Sequence, residues 1–285
     1  MGLSVVIPAR DVAATLPAQL EALLAQEWEE EWEIVVVDNL STDGTADIVR
    51  KYSKHDARLR VVDASARTGL CYARTTGIHA AQFDAIAICD GDDIVGPRWL
   101  RAMGEALQHD DVVTGPLEVD RLNPPWLAAS RGRPSPTTCA TWYGLFPVVS
   151  GGNLGLRREV WERVGGFDEH FLGAEDAEFS LRLHQHGIAV RFAPYALVHY
   201  RYRDSIRALW RQGTQYGLGR PLVRRRMREL GMHPPSPVAG WRSWAWLVLH
   251  LPDVRTATGR ARWAWVAGNR LGQLRGSVRA RTLFI

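Results

Sequence analysis

Four short apolar runs recur along the first ninety residues, and helical spacing of apolar residues follows them. The runs cover residues 3–8, 34–37, 59–62 and 85–89. Four leucines between residues 16 and 24 show the helical spacing after the first run. Strands that alternate with helices through short turns favour βαβ units and a parallel sheet. The sequence therefore predicts an α/β domain with a mostly parallel sheet flanked by helices.

An acidic motif, Asp90-Gly91-Asp92-Asp93, follows the fourth apolar run directly. In open α/β sheets, ligands bind outside the carboxyl ends of the strands. Two aspartates one residue apart provide hard oxygen ligands for Mg²⁺ or Mn²⁺. Such an ion is typically bound by one or two carboxylates, and substrate phosphates complete its coordination shell. The motif predicts a metal-dependent site for a diphosphate compound. A solvated acidic turn is the alternative.

Five short motifs stand in a fixed order along the chain. They are VVIPA at 5–9, VVVDNLSTDGT at 35–45, DGDD at 90–93, GGFDE at 165–169 and GAED at 173–176. In this order and spacing they closely resemble the inverting family-two glycosyltransferases with the GT-A nucleotide-diphospho-sugar fold. The resemblance covers residues 3–205. It implies the transfer of a sugar from a nucleotide diphosphate, most commonly UDP, to a hydroxyl acceptor with a divalent cation, Mn²⁺ or Mg²⁺.

The resemblance also implies a nucleotide-sugar site at the strand ends. By this resemblance Asp38 contacts the base, and capping of the following turn is the alternative role for it. Asp90 faces the ribose, and Asp92 binds the metal. The first loop matches at Pro8 and Ala9 and departs from the family pattern at Arg10. The residues assigned to the site are Pro8, Ala9, Arg10, Asp38, Arg74, Asp90, Gly91, Asp92 and Arg203.

Two basic residues leave alternatives open. Arg74 lies in a segment that resembles the family's Ala-Arg-Asn-x-Gly helix but lacks the asparagine. It either reaches the diphosphate or pairs with Asp90. In some family members a histidine at the position of His199 binds the metal or the diphosphate, and an arginine such as Arg203 follows. A structural histidine is the alternative.

Asp176 is the candidate general base. It shares a helix face with Phe179 and Leu183 by spacing. It also lies in the first turn of a helix predicted near residues 174–186, where the macrodipole favours an ionised carboxylate. A base must be ionised before it can accept a proton. The resemblance implies that Asp176 deprotonates the acceptor and that Glu175 supports it; a capping acid is the alternative.

The chain divides by composition. Residues 120–150 carry five prolines, which predicts a long functional loop. We expect a catalytic domain at 1–205, with a nucleotide-binding half at 1–115 and an acceptor half at 116–205. A basic, tryptophan-rich helical region follows at 206–285 and is interrupted by the prolines of 234–237.

The charge of the chain is unevenly distributed. Residues 201–285 hold 17 arginines, no lysine and three acidic residues, a net charge of +14, so residues 1–200 carry −10 of the total of +4. Six of the twelve tryptophans also lie in 201–285. Such a segment suits an anionic membrane surface. Packing on the catalytic domain and subunit contact are the alternatives, and nucleic acid is not expected because the catalytic half implies a sugar acceptor.

Three sequence features bear on the cellular compartment of the protein. No apolar run approaches the ~20 residues of a spanning helix. The N-terminus shows no basic and apolar regions of a signal peptide, and the three cysteines have no paired spacing. We expect a cytoplasmic protein, peripheral on the inner face of the membrane if residues 206–285 bind lipid. The sequence does not distinguish a lipid-linked acceptor from a polysaccharide.

Two other classes of function compete with sugar transfer. A nucleotidyltransferase needs a glycine-rich first loop to cradle a triphosphate, and the first loop here, at residues 8–11, contains no glycine. The second competitor is a non-catalytic relative that binds a nucleotide sugar or a membrane. The presence of Asp38, Asp90, Asp92 and Asp176 together argues against it.

Overall fold

The structure is a computed structural model, and it describes residues 1–171, 173–233, 236, 240–282 and 284. The chain forms two compact units. The first unit comprises Met1–Glu118, Pro134–Glu169 and Arg182–Tyr200, and the second comprises Val119–Arg133, His170–Leu181 and Arg201–Ile285. The domain boundary predicted after residue 205 stays a prediction.

Short strands and helices alternate along the chain. The strands are β1 Leu3–Ala9, β2 Trp32–Asp38, β3 Leu59–Asp63, β4 Ala85–Cys89, β5 Ile94–Val95, β6 Val112–Thr114, β7 Leu117–Glu118, β8 Ala140–Trp142, β9 Phe146–Val148, β10 Asn153–Arg157, β11 Arg191–Phe192 and β12 Val198–His199. The α-helices are α1 Leu16–Leu24, α2 Thr45–Ser53, α3 Leu70–Ala80, α4 Trp99–Leu107, α5 Pro125–Ala128, α6 Arg158–Arg163, α7 Glu175–Gln185, α8 Ile206–Glu229, α9 Trp241–Leu249 and α10 Ala257–Ala280. A 3₁₀ helix, Leu251–Arg255, lies between α9 and α10.

The first unit is built on a seven-stranded sheet with the order β11-β6-β10-β4-β1-β2-β3. β1 pairs in parallel with β2 and β4, and β2 pairs in parallel with β3. β10 runs antiparallel to both β4 and β6. The residues of β1 and β4 are all buried, as expected for parallel strands covered on both faces. The predicted mostly parallel sheet flanked by helices is confirmed.

The strand order creates a crevice at the carboxyl ends of β1 and β4. From β1 the chain winds outward through β2 and β3, and β4 returns to the other side of β1. Neighbouring loops therefore diverge at this point, which is the topological switch point where open α/β sheets bind ligands. The acidic motif begins where β4 ends.

The helix indicated by the spacing of the four leucines is α1. Thr15 occupies the N-cap position of α1, with proline in the first turn. The buried residues Leu16, Leu20 and Leu23 then lie on the side of the helix that faces the core. The spacing of these leucines in the sequence is what predicted the helix.

A second, three-stranded sheet in the first unit has the order β5-β12-β7. β12 pairs antiparallel with β5 and parallel with β7. This arrangement places His199 opposite both Ile94 and Glu118. His199 is therefore held beside the strand that directly follows the acidic motif.

Two sequence expectations for the irregular segments were wrong. The segment 120–150 contains the short helix α5 and a hairpin of β8 and β9, which turns through Tyr143 and Gly144 at positive φ. Strands of three residues are too short for a periodic apolar pattern. The sequence from Ile188 to Phe192 also predicts a strand, which the structure limits to β11. Of the expected proline interruption, Pro234, Pro235 and Pro237 lie outside the described residues.

The second unit contains two 24-residue helices, α8 and α10, which pack together closely. Glycines make this approach possible. A Cβ atom at Gly217 would collide with the carbonyl oxygen of Asn269, and one at Gly272 would collide with that of Thr214. Among the helices that the structure describes, none combines the length and the apolar character that crossing a membrane requires.

Candidate active site

Three carboxylates converge at the carboxyl end of β4. One oxygen from each of Asp90, Asp92 and Asp93 lies within 4.8 Å of the others. Asp93 is fully buried, while Asp90 and Asp92 are partly exposed. Burial and the charges of Asp90 and Asp93 raise the pKa of the Cys89 thiol well above its usual range, so this thiol stays neutral. A compact set of hard oxygen donors fits Mg²⁺ or Mn²⁺.

The acidic loop is fastened to α1 at both of its ends. Gln19 is fully buried; its Nε2 donates to the carbonyl oxygen of Asp90 at 3.0 Å, and its Oε1 accepts from the amide of Val95 at 2.9 Å. Thr15 Oγ1 donates to the carbonyl oxygen of Gly91 at 3.4 Å. Sequence reasoning missed Gln19 and Asp93. A glutamine on the apolar face of a helix was the only sequence signal for Gln19.

Arg74 pairs with the first aspartate of the loop. It is only 2% exposed, and its Nη2 lies 3.6 Å from Asp90 Oδ1. Its guanidinium also lies 5.7 Å from the ring centroid of Phe167, a residue of the GGFDE motif. On the other side of Asp90, a Cβ atom at Gly152 would come within 2.6 Å of Asp90 Oδ2. The contact with Asp90 that one alternative expected is present, and the role of Arg74 toward the diphosphate stays a prediction.

The loops after β1 and β2 are joined by two aspartates. Asp11 Oδ1 accepts from the amide of Thr42 at 2.7 Å, and Asp43 Oδ2 accepts from the amide of Ala13 at 2.8 Å. Burial alone would raise the pKa of Asp43, but hydrogen bonds from Thr45 and Ala13 outweigh it and hold this pKa below its usual range. Asp43 therefore stays ionised and keeps the two loops together.

Asp38 lies at the end of β2, opposite Ala9 in the register. Its Oδ1 is shielded from solvent and accepts no hydrogen bond from the described residues. The next residue, Asn39, donates to the carbonyl oxygen of Ala64 at 2.6 Å and accepts from the amide of Gly69 at 2.9 Å. A buried acceptor of this kind is suited to a ligand donor, because leaving it unsatisfied costs free energy.

Arg10 and Pro8 complete the first strand end. Pro8 and Ala9 are the last residues of β1, and Arg10 follows with its side chain half exposed. The Nε atom of Arg10 lies 4.0 Å from the carboxylate of Asp11. These residues and Asp38 lie at the same edge of the sheet as the acidic loop.

His199 is nearly buried and contacts a carboxylate. Its Nδ1 lies 2.6 Å from Glu118 Oε2, across the paired strands β12 and β7. In the described ranges, the His, Cys, Asp and Glu side chains grouped closely enough to share an ion are Asp90, Asp92 and Asp93. His199 lies outside that group, and its role as a metal ligand stays a prediction.

The predicted base opens α7 in the second unit. Glu175 and Asp176 are the first two residues of this helix, and Ser180 Oγ donates to the carbonyl oxygen of Asp176 at 2.6 Å. The first turn is acidic, with Glu178 as its third carboxylate. The position of Asp176 in the first helical turn, expected from the sequence, is confirmed, while its role as the base stays a prediction.

The turn before α7 is held by α8. Gly173 and Ala174 both have positive φ, at 109° and 59°. A Cβ atom at Gly219, in the middle of α8, would collide with the carbonyl oxygen of Gly173. Gly219 therefore positions the turn that leads into Asp176, which no local pattern indicated. Arg203 also belongs to the second unit, where it is exposed just before α8.

The fold and the acidic crevice define a class of protein: the GT-A type of nucleotide-sugar transferase fold. The chain belongs to glycosyl transferase family 2, whose family profile matches residues 4–165. A second profile, glycosyl transferase family group 2, matches residues 85–269. The expected GT-A fold and family are thereby confirmed.

Curated relatives share this assignment. A probable glycosyltransferase of Bacillus subtilis, YdaM, is 27% identical over 235 residues, which cover 77% of this chain and 55% of the relative. Another B. subtilis glycosyltransferase, EpsJ, is 30% identical over 70% of this chain and 60% of its own length. Chondroitin synthase of Escherichia coli is 27% identical over 70% of this chain but only 34% of its own length. The chain therefore spans less than two thirds of the length of each of these relatives.

Solved structures show the same fold. The mannosyltransferase PcManGT from Pyrobaculum calidifontis, in complex with GDP-Man and Mn²⁺, superposes with a TM-score of 0.69 at 18% identity over 95% of this chain and 86% of that one. TarS of S. aureus, in complex with UDP-GlcNAc, superposes with a TM-score of 0.59 at 17% identity over 99% and 93% of the two chains. At these identities the likeness establishes the fold alone.

Proposed function

We propose that the protein is a metal-dependent inverting glycosyltransferase of the hexosyltransferase class. It transfers a sugar from a nucleotide diphosphate sugar, with a UDP-sugar favoured, to a hydroxyl acceptor. One observation carries the proposal: the carboxylates of Asp90, Asp92 and Asp93 lie within 4.8 Å of one another at the switch point of the sheet. This is where an α/β sheet binds a nucleotide, and these ligand types suit the cation that accompanies a diphosphate.

The nucleoside is proposed to bind along the strand ends. Asp38 Oδ1, a buried acceptor with no described donor, receives a hydrogen bond from the base. The backbone of Pro8 and Ala9 lines the same edge, with Arg10 beside it. Asp90 faces the ribose, and its contact with Arg74 holds its carboxylate in place.

Asp92 is the proposed metal ligand in the acidic group, and His199 is a second proposed ligand. A divalent cation there would offset the charge of the diphosphate and stabilise the departing nucleotide. Arg203 is proposed to add positive charge for the same phosphates. The pairing of Arg74 with Asp90 makes Arg74 a positioning residue for the site.

Asp176 is proposed to act as the general base, with Glu175 in support. It removes the proton of the acceptor hydroxyl as that oxygen attacks the anomeric carbon from the face opposite the nucleotide. One displacement forms the new glycosidic bond, breaks the bond to the diphosphate and inverts the anomeric configuration. Asp176 lies in the first turn of α7, where the helix dipole favours a negative charge.

The donor and the acceptor are tested by product analysis. Structural neighbours were solved with GDP-Man and with UDP-GlcNAc, so the screen covers UDP- and GDP-sugars with Mn²⁺ or Mg²⁺. Polysaccharide and lipid-linked acceptors are both included; the similarity to chondroitin synthase favours a polysaccharide. Release of nucleoside diphosphate supports the proposal, release of pyrophosphate indicates a nucleotidyltransferase, and neither product indicates a non-catalytic relative.

Metal dependence has a matched control. Asp92→Asn removes a carboxylate of the acidic group and is expected to abolish turnover, as is EDTA. Asp47→Asn changes an exposed aspartate in the first turn of α2 and is expected to leave turnover unchanged. Activity that survives both EDTA and Asp92→Asn would contradict the metal-dependent mechanism.

A further inference from the structure

Large apolar side chains of α9 and of the following 3₁₀ helix are exposed to solvent. Trp241 is 60% exposed, Val248 and Leu249 are each 74% exposed, and Leu251 is 55% exposed. Trp241 and Val248 are seven positions apart and therefore lie on the same side of α9. Isolated apolar residues are common on protein surfaces, whereas a contiguous group marks an interaction site. We call these four residues the α9 face.

The opposite side of α9 attaches the helix to the second unit. Leu247 is buried, and its carbonyl oxygen accepts from Trp263 Nε1 of α10 at 3.0 Å. The ring of Trp246 stacks on that of His250, with centroids 4.3 Å apart. The α9 face is therefore exposed while its helix is packed in place. Leu247 and Leu249 are two positions apart in the sequence, and the structure buries the first and exposes the second.

Exposed arginines flank the α9 face in the sequence, and we call them its basic rim. Arg242, Arg255 and Arg260 are all exposed, and Asp253 is the only acidic residue in the segment 241–260. Arg260 Nη1 also donates to the carbonyl oxygen of Arg255 at 3.2 Å, which fastens the end of the 3₁₀ helix to the start of α10. The segment 241–260 therefore presents exposed apolar side chains together with exposed arginines.

We propose that the α9 face docks on an anionic lipid bilayer. Tryptophan and aliphatic side chains enter the headgroup boundary, and arginines at the rim meet lipid phosphates. With nine residues, α9 is ~13 Å long, so it lies in the plane of the interface and does not cross it. A second copy of this chain would bring the same arginines against one another in a two-fold contact, and like charges in apposition oppose association. The charge therefore favours the bilayer.

Vesicle co-sedimentation of the full chain tests the proposal. One set of vesicles contains equal parts of phosphatidylcholine and phosphatidylglycerol, and the other contains phosphatidylcholine alone. Binding is expected only to the anionic vesicles and is expected to weaken as salt screens the arginines. The assay needs no sugar donor, so its outcome is independent of the proposed transferase activity.

Two double variants separate the apolar and the cationic contributions. Val248→Ser with Leu249→Ser is expected to weaken binding at least about tenfold, because two aliphatic side chains no longer leave water. Arg242→Gln with Arg255→Gln is expected to weaken it about 30-fold, which corresponds to ~1 kcal/mol for each arginine near an anionic surface. Matched controls are Leu145→Ser, at an exposed leucine, and Arg50→Gln, at an exposed arginine.

The outcomes are distinct. Anionic-selective binding that both double variants weaken and both controls preserve supports the proposal. Failure to bind anionic vesicles at low salt overturns it, and so does binding that the double variants leave unchanged. A dimer in light scattering that Val248→Ser with Leu249→Ser converts to a monomer, without vesicle binding, assigns the α9 face to a second copy instead. Unchanged circular dichroism shows that the variants are folded.

Discussion

The contact between Gln19 and the acidic loop leads to a prediction that links stability to metal binding. Gln19→Ala removes two hydrogen bonds, a part-buried one to the carbonyl oxygen of Asp90 at 3.0 Å and a buried one from the amide of Val95 at 2.9 Å. These bonds hold the first and last residues of the loop that carries Asp92. We expect the variant to be less stable and to bind Mn²⁺ more weakly.

The magnitude follows from the burial of the two groups. Removing one partner of a buried hydrogen bond costs about 1–3 kcal/mol. Asp90 is partly exposed, so water replaces Gln19 there and the cost lies near the lower limit, whereas Val95 is buried. The expected loss is about 2–4 kcal/mol of unfolding free energy. If one loop residue must then be ordered again when the cation binds, at ~1–2 kcal/mol, the Mn²⁺ dissociation constant rises about tenfold.

Gln26→Ala provides a matched control. Gln26 is also buried; its Nε2 donates to the carbonyl oxygen of Gly96 at 3.1 Å, and its Oε1 accepts from the amide of Leu100 at 3.0 Å. It ties α1 to the start of α4, beyond the acidic loop. We expect a similar loss of stability with no change in Mn²⁺ affinity.

Urea unfolding measures the stability of both variants, and electron paramagnetic resonance of free Mn²⁺, with and without UDP, measures metal binding. Equal Mn²⁺ affinity in Gln19→Ala and in the wild type would refute the positioning role of Gln19. A weaker affinity in both variants would mean that general destabilisation, rather than the loop, controls the site.

Three further predictions concern other parts of the chain. Asp176→Asn is expected to lower turnover by roughly 10²–10⁴ with donor binding unchanged in calorimetry; near-normal turnover would exclude Asp176 as the base. Gly219→Ala is expected to displace the turn before Asp176 by collision with the carbonyl oxygen of Gly173 and to lower kcat, whereas Gln215→Ala, at an exposed position of the same helix, is expected to leave kcat unchanged. Hydrogen bonds lower the pKa of folded Asp43, so its stabilising contribution is complete above the ordinary value of ~3.9 and disappears as pH falls through the folded pKa. Asp43→Asn is therefore expected to be less stable than the wild type in urea unfolding at pH 7, and a deficit that does not shrink as the pH is lowered through the acid range would contradict this assignment.

Sequence alone determined the central sheet and the position of the acidic motif. Buried parallel strands read as continuous apolar runs, because both faces are covered, and the runs that became β1, β2 and β4 have this form. Since Asp90 directly follows such a run, the local sequence pattern predicted its position at the carboxyl end of a strand. The same reasoning located Asp38 at the end of β2 and Asp176 in the first turn of α7.

Tertiary structure decided which side chains support these residues. Gln19 contacts Asp90 and Val95, which lie 71 and 76 positions further along the sequence. A contact between residues so distant in sequence produces no local pattern from which it could be predicted. The partner of Arg74 was open for the same reason. Only the packing of α9 on α10 determined that Leu247 is buried and Leu249 is exposed, because residues 244–249 are all apolar and do not indicate which side the neighbouring helix covers.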